Sequence, residues 1–231
     1  MDLLRVWQVT YRCETLNSQI DSGQTRTPSQ YVLNTLIKTM LKMTTHCRLG
    51  LHFGLITASD LILVDESGTA VGGNTSRPAN AAGFLIHSAI HKKRPEVNAA
   101  CHFHSTYGKA WSAFAQPLEM LNQDVAIFYG DAQSVYEDFG GVVLKEEESN
   151  ALAKSLGNGK GMILRNHGLL TVGGTIDEAA YLFLLMEKSC QVQLAADAAV
   201  AAGRKKVYID DEAARFTYEN TSDPVSLSEK H

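Results

Sequence analysis

A chain of 231 residues, 45% hydrophobic and 20% charged, is long enough to bury a sizeable core and too apolar to remain disordered. Its formal net charge of -4, with no basic run longer than Arg204, Lys205 and Lys206, argues against binding to nucleic acid or an anionic membrane. Small molecules or proteins are the expected partners. The longest apolar stretch, residues 179–186, is far shorter than a membrane span. The first ten residues carry Arg5 and Gln8 where a secretory leader would be apolar, so a cytoplasmic location is expected. Cys13, Cys47, Cys101 and Cys190 are scattered with no CxxC pair, which reads as reduced thiols rather than a disulfide framework or zinc ribbon.

Residues 1–53 form a segment of weak periodicity with one amphipathic helix, over residues 30–43, where Tyr31, Leu33, Leu36, Ile37, Met40 and Leu41 recur at helical spacing. Residues 61–65 predict a short strand before the turn Glu66-Ser67-Gly68. Residues 80–93 predict a helix that stops ahead of Pro95, because the residue before proline is pushed out of the helical region. A strand over 97–103, a helix over 105–115, short strands over 125–129 and 141–144, and a helix over 149–156 follow. Strands over 161–165 and 169–172 flank the turn Asn166-His167-Gly168. Thr175 with Glu178 three residues on is a capping box, and Ala179, Phe183, Met186, Cys190 and Leu194 carry the helical period towards about Ala201. Residues 203–231 read as a polar tail. The interleaving over 54–202 predicts an α/β domain with a central sheet flanked by helices.

Chemistry concentrates in three histidines. In the strand over 97–103, Val97, Ala99, Cys101 and Phe103 alternate with Asn98, Ala100 and His102, and the period of two carries on to His104. His102 and His104 therefore share a face and can reach one ion. Taken alone, an HxH pair reads more readily as two separate hydrogen-bonding histidines than as a metal site, and His167 alone reads as an ordinary turn residue. Together, three imidazoles would leave coordination positions for water or substrate, as a catalytic metal requires.

Several segments in order resemble the class II aldolase/adducin family: Ser76-Arg77-Pro78-Ala79-Asn80, the helix Ala82 to His91, Arg94-Pro95-Glu96-Val97, His102-Phe103-His104-Ser105, and Arg165-Asn166-His167-Gly168-Leu169-Leu170. The resemblance implies a three-layer α/β/α fold with a central, mainly antiparallel sheet. It also implies a divalent metal on His102, His104 and His167, with zinc the usual ion and iron used by some relatives. The activity it implies is lyase chemistry on a small carbonyl compound, with an iron-dependent decarboxylase or oxygenase, or an adducin-like binder of actin, as alternatives. Homo-oligomers are common in the family, often four-fold rings in which C-terminal residues of a neighbour complete the pocket, and Tyr208 and Tyr218 are candidates for that role.

The sequence departs from the sugar-phosphate aldolases at the start of the helix. The glutamate that handles a proton there is replaced by Gly83, and the paired serines that bind phosphate by Ala81 and Ala82. Glycine can neither ligate nor transfer a proton, and two lost hydroxyls weaken a phosphate pocket. A catalytic acid or base is therefore not assigned, and the substrate is expected to lack phosphate. Ser105, Tyr107 and His87 are the candidate substrate-binding groups, and His87 with His91 has the i, i+4 spacing of a second ligand pair. Upstream, Thr57-Ala58-Ser59-Asp60-Leu61 matches the family, but the strand expected before it is not recognisable and residues 44–50 stand in its place.

Overall fold

A computed structural model describes residues 8–12, 44–46, 58–76, 78–143 and 145–222. The helix expected over 30–43 lies outside them. In chain order the strands are β1 (Gln8–Arg12), β2 (Thr44–His46), β3 (Ile62–Val64), β4 (Ala70–Gly73), β5 (Ala99–Phe103), β6 (Gln133–Tyr136), β7 (Gly161–Leu164) and β8 (Gly168–Gly173). The helices are α1 (Ala81–Lys93), α2 (Thr106–Ser112), α3 (Glu146–Leu156), α4 (Ile176–Ala201) and α5 (Asp211–Thr221). One sheet runs β4-β3-β2-β1-β5-β8-β7-β6. Every pairing in it is antiparallel except that of β6 with β7. Among the described residues no helix is long and apolar enough to cross a membrane.

Alternation along the central strands builds two cores. Ala99, Cys101 and Phe103 of β5 pack with Ile163 and Leu169 against Trp111 of α2 and Phe183 and Met186 of α4. Ala100 of the same strand joins Met162, Leu164, Leu170 and Val172 against Ile86 and Ile90 of α1 and Leu152 and Leu156 of α3. Helices thus cover both faces of the sheet, giving three layers. The expected one-face placement of Ala100 and His102 holds in β5, with the bulky apolar set on the other face.

Local chemistry fixes the helix ends. Asn80 Oδ1 accepts from the Ala82 and Gly83 amides at 3.1 and 3.3 Å and opens α1, which ends at Lys93 before Pro95 as expected. Thr175 Oγ1 accepts from the Glu178 amide at 3.1 Å and opens α4, while Glu178 Oε2 reaches back to the Gly174 amide at 2.7 Å. The far end of α4 closes at Gly203, φ +87°, with Gly203 N–H on the Val200 carbonyl and Arg204 N–H on that of Ala199. That pairing needs a left-handed residue and explains the glycine there.

Several expectations are corrected. Residues 125–129 are not a strand: Asp124–Phe128 is a 3-10 helix, with Val125 to Phe128 buried in succession rather than alternately. A short apolar run cannot distinguish the two. Residues 141–143 form no strand, and Gly141 has φ +94°. The strand of this region is β6, whose partly exposed Gln133, Ser134 and Val135 concealed it. Thr44–His46, where no strand was recognised, forms β2 between β1 and β3. The polar region after 203 holds α5, opened by Asp210 Oδ1 accepting from the Ala213 amide at 2.8 Å and anchored by buried Ala214. Its helix rests on capping and on the Tyr129 hydroxyl donating to Asp211 rather than on an apolar stripe.

Candidate metal centre

The three histidines converge. Their ring centroids are 5.2 Å apart for His102 and His104, 4.8 Å for His102 and His167, and 4.5 Å for His104 and His167. One ring nitrogen from each lies within 4.8 Å of the others. Among the described residues this is the one cluster of such groups that could hold a metal ion.

Each imidazole is delivered by a distinct local device. His102 lies on buried β5 opposite Leu170, and its Nδ1 is 2.9 Å from the Leu169 carbonyl. A carbonyl only accepts, so Nδ1 carries the proton and Nε2 keeps its lone pair, the arrangement usual for a metal-binding histidine. His104 lies just beyond the end of β5. The next residues are fastened by Glu187 of α4, whose buried carboxylate accepts from the Ser105 hydroxyl at 2.5 Å, the Tyr107 amide at 2.9 Å and the Gly108 amide at 2.7 Å.

His167 is delivered by the turn between β7 and β8. Asn166 takes φ +54°, a left-handed conformation that asparagine tolerates, and the His167 amide closes on the Leu164 carbonyl at 3.0 Å. Gly168 then presses on β5: a Cβ there would lie 2.5 Å from the Phe103 carbonyl oxygen. Only glycine lets β8 begin so close to the end of β5, which brings His167 beside the other two rings.

The pKa values of all three imidazoles are lowered, which favours the neutral form that ligates. His102 is pushed down to about 3 by burial, then by the neighbouring His167 and to a smaller extent by His104, against the Leu169 hydrogen bond, which favours the charged form. His167 falls to about 4 through burial and the charge of His104. His104 is lowered by burial and by the ammonium of Lys109. Convergence, lone-pair direction and neutrality all fit a dication.

The histidines open into a cavity of about 490 Å³, within the usual range for small-molecule sites. One wall is the start of α1, with Asn80, Ala82, Gly83 and Ile86, so Gly83 borders the same cavity as the histidines. Another is the loop after β6, with Phe139, Val142 and Val143. Lys109 and Asn166 also line it. Sequence reasoning missed Lys109, the loop and Glu187.

The other candidates are placed elsewhere. Ser105 and Tyr107 do not line this cavity: Ser105 is engaged by Glu187, and the Tyr107 hydroxyl receives the Gln191 amide at 2.9 Å. His87 is fully buried within α1 and outside the lining, and His91 directs Nδ1 to the Val97 carbonyl at 2.9 Å; among the described residues neither belongs to a cluster of three or more groups that could hold a metal. Tyr208, which donates to Glu119 at 3.2 Å, and Tyr218, which packs on Tyr129, are expected at a neighbouring subunit's pocket and lie outside this chain's own cavity lining, which does not bear on that role.

Residues 43–194 match the model of the class II aldolase and adducin N-terminal domain. The chain is 44% identical over 175 residues to the meiotically up-regulated gene 14 protein of Schizosaccharomyces pombe, covering 76% of this chain and 67% of that one. It is 46% identical over 166 residues to the decarboxylase NovR of Streptomyces niveus, covering 71% and 59%. The chain thus spans about three fifths to two thirds of the length of these relatives. Among solved structures, L-fuculose 1-phosphate aldolase from Glaciozyma antarctica PI12 superposes with a TM-score of 0.75 at 40% identity, covering 96% of this chain and 75% of that one. This chain belongs to the class II aldolase and adducin family.

Proposed function

We propose that this protein is a divalent-metal-dependent lyase of the aldolase type, acting on a small carbonyl compound other than a sugar phosphate, with His102, His104 and His167 as the metal ligands and zinc as the ion. The observation that carries the reading is the convergence of three neutral imidazoles on one point at the wall of a cavity. A bound dication would supply Lewis acidity, stabilising negative charge that develops on a carbonyl oxygen. The chain's own part is to hold the rings. Leu169 fixes the His102 tautomer, the Asn166-His167-Gly168 turn fixes the third ring, and Glu187 fixes the chain after His104. The wall formed by Ala82 and Gly83 presents no hydroxyl to a phosphate and no carboxylate to a proton.

The similarity to the decarboxylase NovR favours a second reading on the same scaffold, an iron-dependent decarboxylase or oxygenase, because three imidazoles suit iron as well as zinc. Elemental analysis of the purified protein tests both. About one zinc or iron per chain is expected, lost in a His102→Ala/His104→Ala variant that keeps its far-UV circular dichroism. Metal-free wild-type protein that is fully folded and takes up neither ion would sink the reading. Turnover of hydroxy-aldehydes and oxo acids with zinc, against iron with oxygen, separates the two activities.

A further inference from the structure

Among the described residues, two that are not glycine take positive φ, Ala115 at +48° and Asn166 at +54°. Asparagine tolerates the left-handed region through its short polar side chain, and alanine has no such compensation. The two are far apart in sequence, yet both donate the backbone N–H to one acceptor, the Ser112 carbonyl, at 3.2 Å from Ala115 and 3.1 Å from Asn166. Ser112 is buried and ends α2, so its carbonyl has no partner within the helix. A helix cap of the usual kind accounts for the left-handed residue at 115, although glycine is the common choice there. It does not account for the second donor, which comes from the turn that carries His167.

The reversal at Ala115 is pinned on its far side, where the buried Trp111 indole donates to the Gln116 carbonyl at 2.9 Å. Backbone strain of this kind persists only where the surroundings over-determine it. Near the other end of α2, Gly108 admits β8: a Cβ there would lie 2.5 Å from Leu169 Cγ and 2.5 Å from Ser105 Oγ. The Leu169 carbonyl is the group that holds His102 Nδ1, and the Gly108 amide is held by Glu187. One short helix thus meets the support of every imidazole. It begins just after His104, packs on the residue that orients His102, and ends on the amide beside His167.

We propose that α2 is a brace of the histidine cluster and that Ala115 and Gly108 are its positioning residues. Ala115 turns the chain so that the Ser112 carbonyl holds the Asn166 amide, and Gly108 lets the helix lie against Leu169. His104 at the start of the brace and His167 at its end therefore keep their spacing together. The reading of the histidines as metal ligands enters only where zinc affinity is measured. The brace itself rests on the shared carbonyl and the close contact at Gly108.

Hydrogen exchange at residues 165–168 of the full chain, metal-free and zinc-supplied, tests this beside zinc affinity measured by competition with a chelator. Ala115→Val, whose branched side chain resists positive φ, should speed exchange of the Asn166 and His167 amides about tenfold and weaken zinc about tenfold. Ala115→Gly adopts the same φ without strain and should stay within about twofold of wild type on both. Gly108→Ala should repeat the effect of Ala115→Val from the other end of the helix. Asp210→Ala removes the cap of α5, lowers stability and should move neither readout. Wild-type exchange at 165–168 in Ala115→Val and Gly108→Ala, or equal effects of Ala115→Gly or Asp210→Ala, would overturn the proposal. If Ala115→Val does not fold, Gly108→Ala and the wild-type chain decide: zinc should slow the Ala115 amide together with that of Asn166, and protection of Asn166 alone would refute the coupling. Metal content of the same samples separates this from the reading of the metal centre. Exchange at 165–168 that depends on Ala115 in a protein taking up no metal keeps the brace and refutes the metal, while a metal-loaded protein indifferent to Ala115→Val does the reverse.

Discussion

Replacing Glu187 by glutamine tests how the histidine cluster is held. Glu187 is 4% exposed and accepts three hydrogen bonds from the stretch that directly follows His104: the Ser105 hydroxyl, the Tyr107 amide and the Gly108 amide. Two donors converge on Oε2 and one on Oε1. A glutamine offers a single oxygen, so its NH2 must oppose at least the Tyr107 amide. One buried N–H left without an acceptor costs about 1–3 kcal/mol. The bonds that remain lose their charge assistance, a further cost of about 1 kcal/mol. Relief from burying a charge offsets part of this, leaving a net loss of about 2 kcal/mol. For a chain of this length that lowers the unfolding midpoint by roughly 4–8 °C. Glu187 touches no imidazole, so Glu187→Gln should loosen His104 rather than remove it, weakening zinc binding by about tenfold. Scanning calorimetry and competition with a chromogenic chelator read the two effects. A midpoint within about 1 °C of wild type and zinc affinity within about twofold would show that packing alone holds this segment, and the argument would fail.

Gly168→Ala should cost about 1–3 kcal/mol by overpacking and reduce zinc binding, because its Cβ would lie 2.5 Å from the Phe103 carbonyl and push His167 away from the other rings. Unchanged metal affinity in that variant would refute the role given to the turn. Asn80→Ala should destabilise by about 1 kcal/mol in urea unfolding, whereas Asn80→Asp, which keeps an acceptor for the two amides of α1, should lose much less. Equal losses in both variants would mean that the cap is not the cause. Burial pushes the Cys101 thiol up to about 12 from its ordinary value of 9.0, and burial with the charge of Glu187 raises Cys190 as well. The unfolded chain therefore releases these protons first, so their contribution to stability is intact below pH 9 and declines as pH rises towards 12. At pH 8 alkylation mapped by mass spectrometry should spare both thiols until the protein is denatured, and modification of either in the folded protein at the unfolded rate would contradict the burial argument.

Periodicity made much of the fold readable before any coordinates. The capping box at Thr175 and the stripe through Phe183, Met186 and Cys190 located α4, and its end at Ala201 agrees with expectation. The alternation through Ala99, Cys101 and Phe103 gave the faces of β5. Errors fell where burial removes the pattern. Val125 to Phe128 is buried throughout, so its apolar run says nothing about backbone geometry. β6 fails in the opposite way, since partly exposed Gln133 and Ser134 give a strand with little apolar signal. In α5 the polar composition concealed a helix that depends on one cap and one buried alanine.

The site was legible where its residues are neighbours in sequence and obscure where they meet across the fold. His102 and His104 share a face by strand period, and the turn Asn166-His167-Gly168 is local. Ser105 and Tyr107 show the limit of that reasoning: they follow the histidines in sequence, yet the chain turns into α2 and their polar groups meet Glu187 and Gln191 of α4 instead of the cavity. The signal for Glu187 was present as a carboxylate on the same stripe as Phe183, Met186 and Cys190, since a charge on an apolar face must find donors. What the sequence could not reveal is that those donors lie 79 to 82 residues away. The anchors so identified, the Leu169 carbonyl on His102, Gly168 against Phe103 and Glu187 behind His104, all belong to β5, β8, α2 and α4. None involves α1, whose Ala82 and Gly83 line the facing wall of the cavity. A change in the wall formed by Ala82 and Gly83 can therefore leave the anchors of the three imidazoles in place, so that cluster and wall vary independently.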